Sequence, residues 1–359
     1  MMSKHPMANL RKEITELGLL KKSPVKTWVK VCILFAIVGG FYILHPLLPF
    51  WWSVALLPIT ALFTTTLAMT GHEGVHSSAC NSRFGNILLA AVVFPLFTGM
   101  SMEFWRDKHN VKHHAHPNVH GKDPDIHNWP LAFSSEDYAK SGSAVQFFQR
   151  HLQGWFFWPL TMITAHSMRI QGLWFVISHP FKTGKKKRFN KLWSIDLTMI
   201  VLHFLLWFVV PVKLGVSLLS VFLFYVALWV LVGVILSMIF IVGHAARPVI
   251  FEYDENWKLQ IETGRRIKTG PVGRFFFVGL DYQIEHHLLP SASHFSLPKI
   301  APIVKKYSLE NGWEYEEIGF FKALWISTKH MSKAWKLEPI VIEASSQDNK
   351  NADELVSGI

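Results

Sequence analysis

Four long apolar runs, each closed by a return to polar residues, set the frame of this 359-residue chain. They cover about residues 28–48, 51–70, 194–212 and 216–243. A helix needs roughly 20 apolar residues to cross the hydrocarbon core of a bilayer, so each run predicts a membrane span. The first two are joined through His45, Pro46 and Pro49, with no Lys or Arg between them. The last two are joined through Pro211, Lys213 and Gly215. Both links predict tight hairpins. Two further runs do not fit a simple crossing. Ile87–Met100 is short and interrupted by Pro95. Trp155–Ile177 carries Pro159, His166, Arg169 and Gln171, and its amphipathic, Trp-rich character places it in the membrane surface.

The flanks are polar. Residues 1–27 form a basic leader with Lys4, Arg11, Lys12, Lys21, Lys22 and Lys26, expected on the cytoplasmic side. No cleavable signal peptide is evident, and the first span reads as an anchor that stays. Residues 344–359 are expected to be disordered. Residues 28–343 read as one membrane domain, without an internal repeat.

Composition sharpens the membrane reading. Charged residues are 17 % of the chain, against about 25 % in a typical soluble globule. Mean hydropathy is +0.24. The net charge of +11 follows from basic residues beside apolar runs, so no nucleic-acid partner is expected. The two cysteines, Cys32 and Cys80, suggest neither a disulfide framework nor a cysteine-based zinc site. The expected fold class is an all-α integral membrane protein: about four transmembrane helices with a cytoplasmic helical cap.

The chemistry lies in the histidines. His72 and His76 sit in HEGVH; His109, His113 and His114 sit in HNVKHH; His286 and His287 close QIEHH. Imidazole is the commonest neutral nitrogen ligand for iron, copper and zinc. Residues four apart share a helix face, which pairs His72 with His76 and His109 with His113. His114 lies about 100° around the axis from His113. The adjacent pair His286 and His287 can face two neighbouring metals. His244, at the end of the fourth span, is an eighth candidate. With the leader inside, two hairpins that go out and back bring every cluster, and the basic run Lys185–Arg188, to the cytoplasmic face. Eight imidazoles exceed the need of one ion, so two metals fit better, and a neutral nitrogen shell suits iron that binds oxygen. No catalytic residue beyond the metal ligands and no organic-cofactor motif is evident.

Metal-bound histidines normally donate their second N–H to a carboxylate or carbonyl. Glu73, Asn110, Asp123, Asp125 and Glu285 are the supporting candidates, each also readable as a solvated loop group. His116 and His120 read as surface or supporting residues. His203 lies mid-span, either as a functional polar group or as a histidine bonded to a neighbouring helix. Trp105 and Trp129 either line a tunnel to the site or belong to an interfacial belt. Lys185–Arg188 either grips a phosphate or marks the positive-inside side.

The three histidine boxes, their order and their positions after paired spans resemble the membrane fatty-acid desaturases. FWRDKHNVKHHAHPN with DPDI, and GLDYQIEHHLLP with KIAPIV, resemble the front-end branch, in which Gln replaces the first histidine of the last box; here that residue is Gln283. The resemblance spans roughly Thr70 to Tyr315. It implies a non-haem di-iron centre on His72, His76, His109, His113, His114, His244, His286 and His287, with Gln283 as a further candidate ligand. It also implies O2-dependent removal of two hydrogens from a fatty acyl chain, carried as acyl-lipid or acyl-CoA among the membrane lipids. Two departures stand out. No HPGG haem motif occurs, so a separate donor such as ferredoxin or cytochrome b5 is expected. The second box has three residues between its first two histidines, where many relatives have two. The absence of a fused cytochrome and of an ER retention signal leans towards a bacterial inner membrane. Two other functions compete: a di-iron hydroxylase or ketolase acting on an alkyl, sterol or carotenoid substrate, and a metal transporter. A transporter would place ionisable groups within several spans, whereas these histidines gather at one face.

Overall fold

A computed structural model describes residues 6–182, 191–253 and 256–342. Lys4, the basic run Lys185–Arg188 and the tail 344–359 lie outside the described residues. Among the described residues, four helices are long and apolar enough to cross a membrane: Pro24–Leu47, Phe50–Val75, Lys191–Lys213 and Leu218–His244. The protein is a mostly helical membrane protein.

Side chains that satisfy backbone and turn groups fix the hairpins. His45 bridges the first, its Nδ1 lying 2.7 Å from Ser53 Oγ and its Nε2 2.8 Å from Thr60 Oγ1. Ser217 caps the fourth spanning helix, its Oγ accepting from the Ser220 amide at 3.1 Å.

The second spanning helix continues to Val75, past the end near residue 70 that its apolar run predicts. Hydropathy misses the last turn because protein, not lipid, surrounds it: every residue from Thr64 to Val75 is buried. Two glycines permit that enclosure. A Cβ at Gly74 would lie 2.8 Å from both the Ala90 nitrogen and the Asn86 carbonyl, and one at Gly71 would lie 2.7 Å from Phe94 Cδ1.

The short run around Pro95 is one limb of a bent pair. Arg83–Thr98 and Met102–His113 meet at 112°. Gly99 turns the corner at φ +70°, a left-handed conformation that glycine adopts without a Cβ clash. Asp196, on the third spanning helix, secures the second limb. Its carboxylate accepts from Ser101 Oγ at 2.5 Å, the Met102 amide at 3.0 Å and the Glu103 amide at 3.2 Å. Residues 106–113 are wound as a π-helix, with the His114 amide bonded to the His109 carbonyl at 2.9 Å. The α-helical relation expected of His109 and His113 is therefore replaced by a wider turn.

The amphipathic stretch expected in the membrane surface is not one helix. Gln153–Leu160 passes through a 3-10 turn into Thr164–Lys182. Trp155 and Trp174 are exposed, but Arg169 points inward and is 7 % exposed. Its guanidinium lies 3.8 Å from the centroid of the Trp229 ring on the fourth spanning helix. The polar residue that suggested a surface helix belongs to a buried face.

The cap is folded onto the ends of the spans. Leu10 and Ile14, in the helix Pro6–Glu16, are buried with Trp257, Ile261, Ile300 and Val304. The basic leader thus contributes a packed helix. Two short parallel pairs tie the cap together: Ile250–Tyr253 with Ile340–Ile342, and Arg266–Lys268 with Glu317–Gly319.

Candidate metal centre

The histidines arrive from four segments. His72 lies in the last turn of the second spanning helix and His76 at its C-terminal cap, joined by the His76 amide to the His72 carbonyl at 3.0 Å. His109 and His113 lie on the π-helix and His114 caps it. His244 ends the fourth spanning helix. His286 and His287 lie on the buried helix Gln283–Leu288.

These eight side chains form two groups. The ligand nitrogens of His72, His76, His109, His114 and His286 lie within 4.8 Å of one another, as do those of His113, His244 and His287. Adjacent residues are divided between groups: His113 from His114, and His286 from His287. The π-helix performs the first division. It stacks His109 on His113, with centroids 5.2 Å apart, while sending them to different groups.

The hydrogen bonds test whether metal fits. His244 Nδ1 donates to the Thr263 carbonyl at 2.9 Å, and His287 Nδ1 donates to Gln260 Oε1 at 2.8 Å. Both acceptors hold the proton on Nδ1, so two Nε2 lone pairs face each other at 3.0 Å. Lone pairs at that separation repel unless a cation or a donor lies among them. His113 Nδ1 lies 3.0 Å from Asp123 Oδ2, again placing an acceptor on the outer nitrogen. In the larger group, His72 and His109 approach at 2.8 Å through their Nε2 atoms, and His109 and His114 at 3.2 Å. His76 Nε2 and His286 Nε2 are buried without a hydrogen-bond partner. Burial, followed by the neighbouring imidazoles, holds His76, His114, His286 and His287 well below the ordinary histidine range. They are neutral at pH 7 and offer lone pairs. The donor set fits two closely spaced cations with a preference for nitrogen.

Gln283 completes the smaller group. Its amide nitrogen is 2.8 Å from His244 Nε2 and 3.2 Å from His287 Nε2, and its Oε1 is buried without a partner. Gly243 makes room for it, since a Cβ there would lie 2.9 Å from Gln283 Cγ.

The supporting candidates separate by position. Asp123 also accepts from the Asn118 and Asp125 amides, at 2.8 and 2.9 Å. Asp125 lies 3.5 Å from His113 Nδ1 and pairs with Lys108. Glu73 faces away from the histidine groups, 2.7 Å from His294 Nδ1. Asn110 donates to the Val75 carbonyl at 3.1 Å. Glu285 accepts from the Tyr315 hydroxyl at 2.7 Å, and burial pushes it up to about 7. Sequence reasoning missed Gln260, whose amide also donates to the His114 carbonyl at 2.9 Å and so touches both groups. It missed His294 as well.

The remaining histidines have partners elsewhere. His116 meets Tyr253 Oη at 2.7 Å, and His120 meets Asp137 at 3.1 Å. His203 lies between the Leu96 carbonyl and Tyr225 Oη, at 3.1 and 2.9 Å. An apolar cavity opens beside the larger group, where His72, Trp105 and Phe240 contribute to its wall. Trp105 also stacks on His109, with centroids 4.6 Å apart. Trp129 is 83 % exposed and lies outside that lining.

Comparison with known proteins agrees with this geometry. The family model described as "Fatty acid desaturase" matches residues 49–319. A sn-1 linoleoyl-lipid 6-desaturase of Synechocystis sp. is 26 % identical over 314 residues, which cover 83 % of this chain and 84 % of that protein. The Delta(5) fatty acid desaturase fat-4 of Caenorhabditis elegans is 25 % identical, over 89 % of this chain and 71 % of its own. An acyl-lipid (8-3)-desaturase of Rebecca salina is 28 % identical over 70 % of this chain, which spans only 57 % of that longer protein.

Proposed function

We propose a reaction for this chain from the premise that it belongs to the fatty acid desaturase family. It is an oxidoreductase that acts on fatty acyl chains. The reaction is the introduction of a cis double bond into an acyl chain carried by a membrane lipid or by CoA. Two hydrogens leave neighbouring carbons, and O2 leaves as two waters. Two electrons come from a separate carrier such as ferredoxin or cytochrome b5, and two protons come from water. The active site faces the cytoplasm, and the chain resides in a bacterial inner membrane.

The observation that carries this reading is the opening of the apolar cavity directly onto His72. His72, His76, His109, His114 and His286 would hold one iron atom, and His113, His244 and His287 with Gln283 a second; bound there, the pair would supply O2 activation strong enough to break an unactivated C–H bond. The protein supplies everything else. Asp123, Gln260 and the Thr263 carbonyl hold the outer N–H groups of His113, His287 and His244, fixing ring and tautomer. Trp105 and Phe240 keep the cavity wall dry beside the histidines, which protects a reactive centre from quenching. The cavity presents one pair of methylenes to the centre, and placement decides where the double bond forms.

Expression in a host of known lipid content, followed by mass spectrometry with double bonds located, tests this reading. A new unsaturated acid that His113→Ala no longer makes is the expected result. A hydroxylated or keto product would assign the chain to the alternative chemistry on the same scaffold.

A further inference from the structure

We infer that Arg169 and Trp229 form a buried binding site for a small monovalent anion, a halide or a short carboxylate, at the end of the apolar cavity remote from the histidines.

Three arginines are buried among the described residues: Arg169, Arg247 and Arg265. Two of them have counter-ions. Arg247 Nη1 lies 2.9 Å from Glu314 Oε1 and 3.0 Å from Glu316 Oε2, and Arg265 Nε lies 3.1 Å from Glu316 Oε2. Arg169 has none, for no carboxylate acts on it among the described residues. It is also the one placed at membrane depth. Its guanidinium lies 3.8 Å from the centroid of the Trp229 ring, near the middle of the spanning helix Leu218–His244. Both residues line the cavity. Trp229 precedes Phe240 by eleven residues, about 16 Å at about 1.5 Å per residue, which sets the cation far from the histidine end of the same wall.

The hydrogen bonds leave donors in excess. Arg169 Nε donates to the Thr98 carbonyl at 2.5 Å. Its Nη1 is buried with no partner in the protein, and so is Trp229 Nε1. Both atoms can only donate. The polar side chains nearby are already committed. His203 Nδ1 donates to the Leu96 carbonyl at 3.1 Å, so its Nε2 accepts the Tyr225 proton at 2.9 Å. Around them the wall is apolar, and the side chains of Ala165, Met168, Val232 and Leu236 bring no acceptor.

A buried charge needs a partner, and a buried N–H needs an acceptor. Water meets the second need and not the first. A monoanion meets both: one negative charge against one guanidinium, and lone pairs for two N–H groups carried by stacked side chains. A dianion such as sulfate brings a charge the site does not match. With the monoanion bound, this end of the cavity is electrically neutral, which removes the cost of an unpaired charge at membrane depth.

Equilibrium dialysis of the full chain, purified in a neutral detergent with bulky gluconate as the background anion, tests the site. One sample is dialysed against bromide and another against radiolabelled acetate, and bound anion is counted per chain. The expected result is saturable binding of one anion per chain; retained bromide identifies a halide site, and retained acetate a carboxylate site. Trp229→Phe keeps a ring under the guanidinium and removes one donor, so it weakens binding about tenfold. Arg169→Met abolishes binding, and Arg169→Lys, which keeps the charge, retains part of it. The Trp229→Phe comparison decides the matter where an Arg169 variant fails to fold. No saturable binding of either anion overturns the inference. So does an affinity that Trp229→Phe or Arg169→Met leaves unchanged.

Discussion

At the scale of single residues, the centre depends on which nitrogen of each imidazole carries the proton. Gln260 shows the logic. Its Oε1 accepts from His287 Nδ1, while its amide donates to the His114 carbonyl and to Asn256 Oδ1 at 2.8 Å. Gln260→Leu removes the acceptor that fixes the His287 tautomer and frees a carbonyl from the opposite group. Metal affinity should fall about ten- to a hundredfold with the fold retained, read by metal analysis after graded chelation. Asp123→Asn should weaken retention less, because an amide oxygen can still accept from His113. The eight histidines were legible in the sequence because seven of them crowd into three short motifs and adjacent or four-apart spacing is a strong signal. Gln260 was not, since its partners lie 27 and 146 residues away and nothing local marks it. Arg169 was visible as a polar residue in an apolar stretch, but its inward direction depends on Trp229, sixty residues further on.

At the scale of elements, two devices hold the histidine-bearing helices in place. The close approach of Gly74 to the helix Arg83–Ala91 is the first. A Cβ there meets backbone atoms on the other helix, which cannot rotate away. Gly74→Ala should therefore cost about 1–3 kcal/mol, seen as a lowered midpoint of thermal unfolding in detergent. Asp196 is the second. Asp196→Ala strands a buried hydroxyl and two buried amides at the start of the limb that carries His109, His113 and His114. Each unmet group costs about 1–3 kcal/mol, so this variant should lose both thermal stability and bound metal. Asp196→Asn keeps one acceptor and should fall between. The sequence announced the spans through length and hydropathy. It did not announce the π-helix, because HNVKHH reads equally well at α-helical spacing and the choice is made by packing around Trp105.

At the scale of the molecule, two helical hairpins and a bent pair help bring four histidine-bearing segments to one end, where the cap closes over them. Pattern reasoning reached this architecture because a chain with four long apolar runs has few ways to cross a bilayer, and the histidines all follow even numbers of crossings. It could not resolve Arg83–His113, since hydropathy measures apolar length and not a 112° turn at Gly99. Sidedness follows from the same count: a reporter fused after Ile359 should read cytoplasmic, and a signal from the other side would reverse the placement of the centre. The central claim is that two histidine groups hold two iron atoms. Metal analysis of protein purified from iron-replete cells tests it most directly. The account predicts two iron atoms per chain, with His244→Ala losing the metal of the smaller group first. A single bound metal, or zinc filling both groups under those conditions, would contradict it.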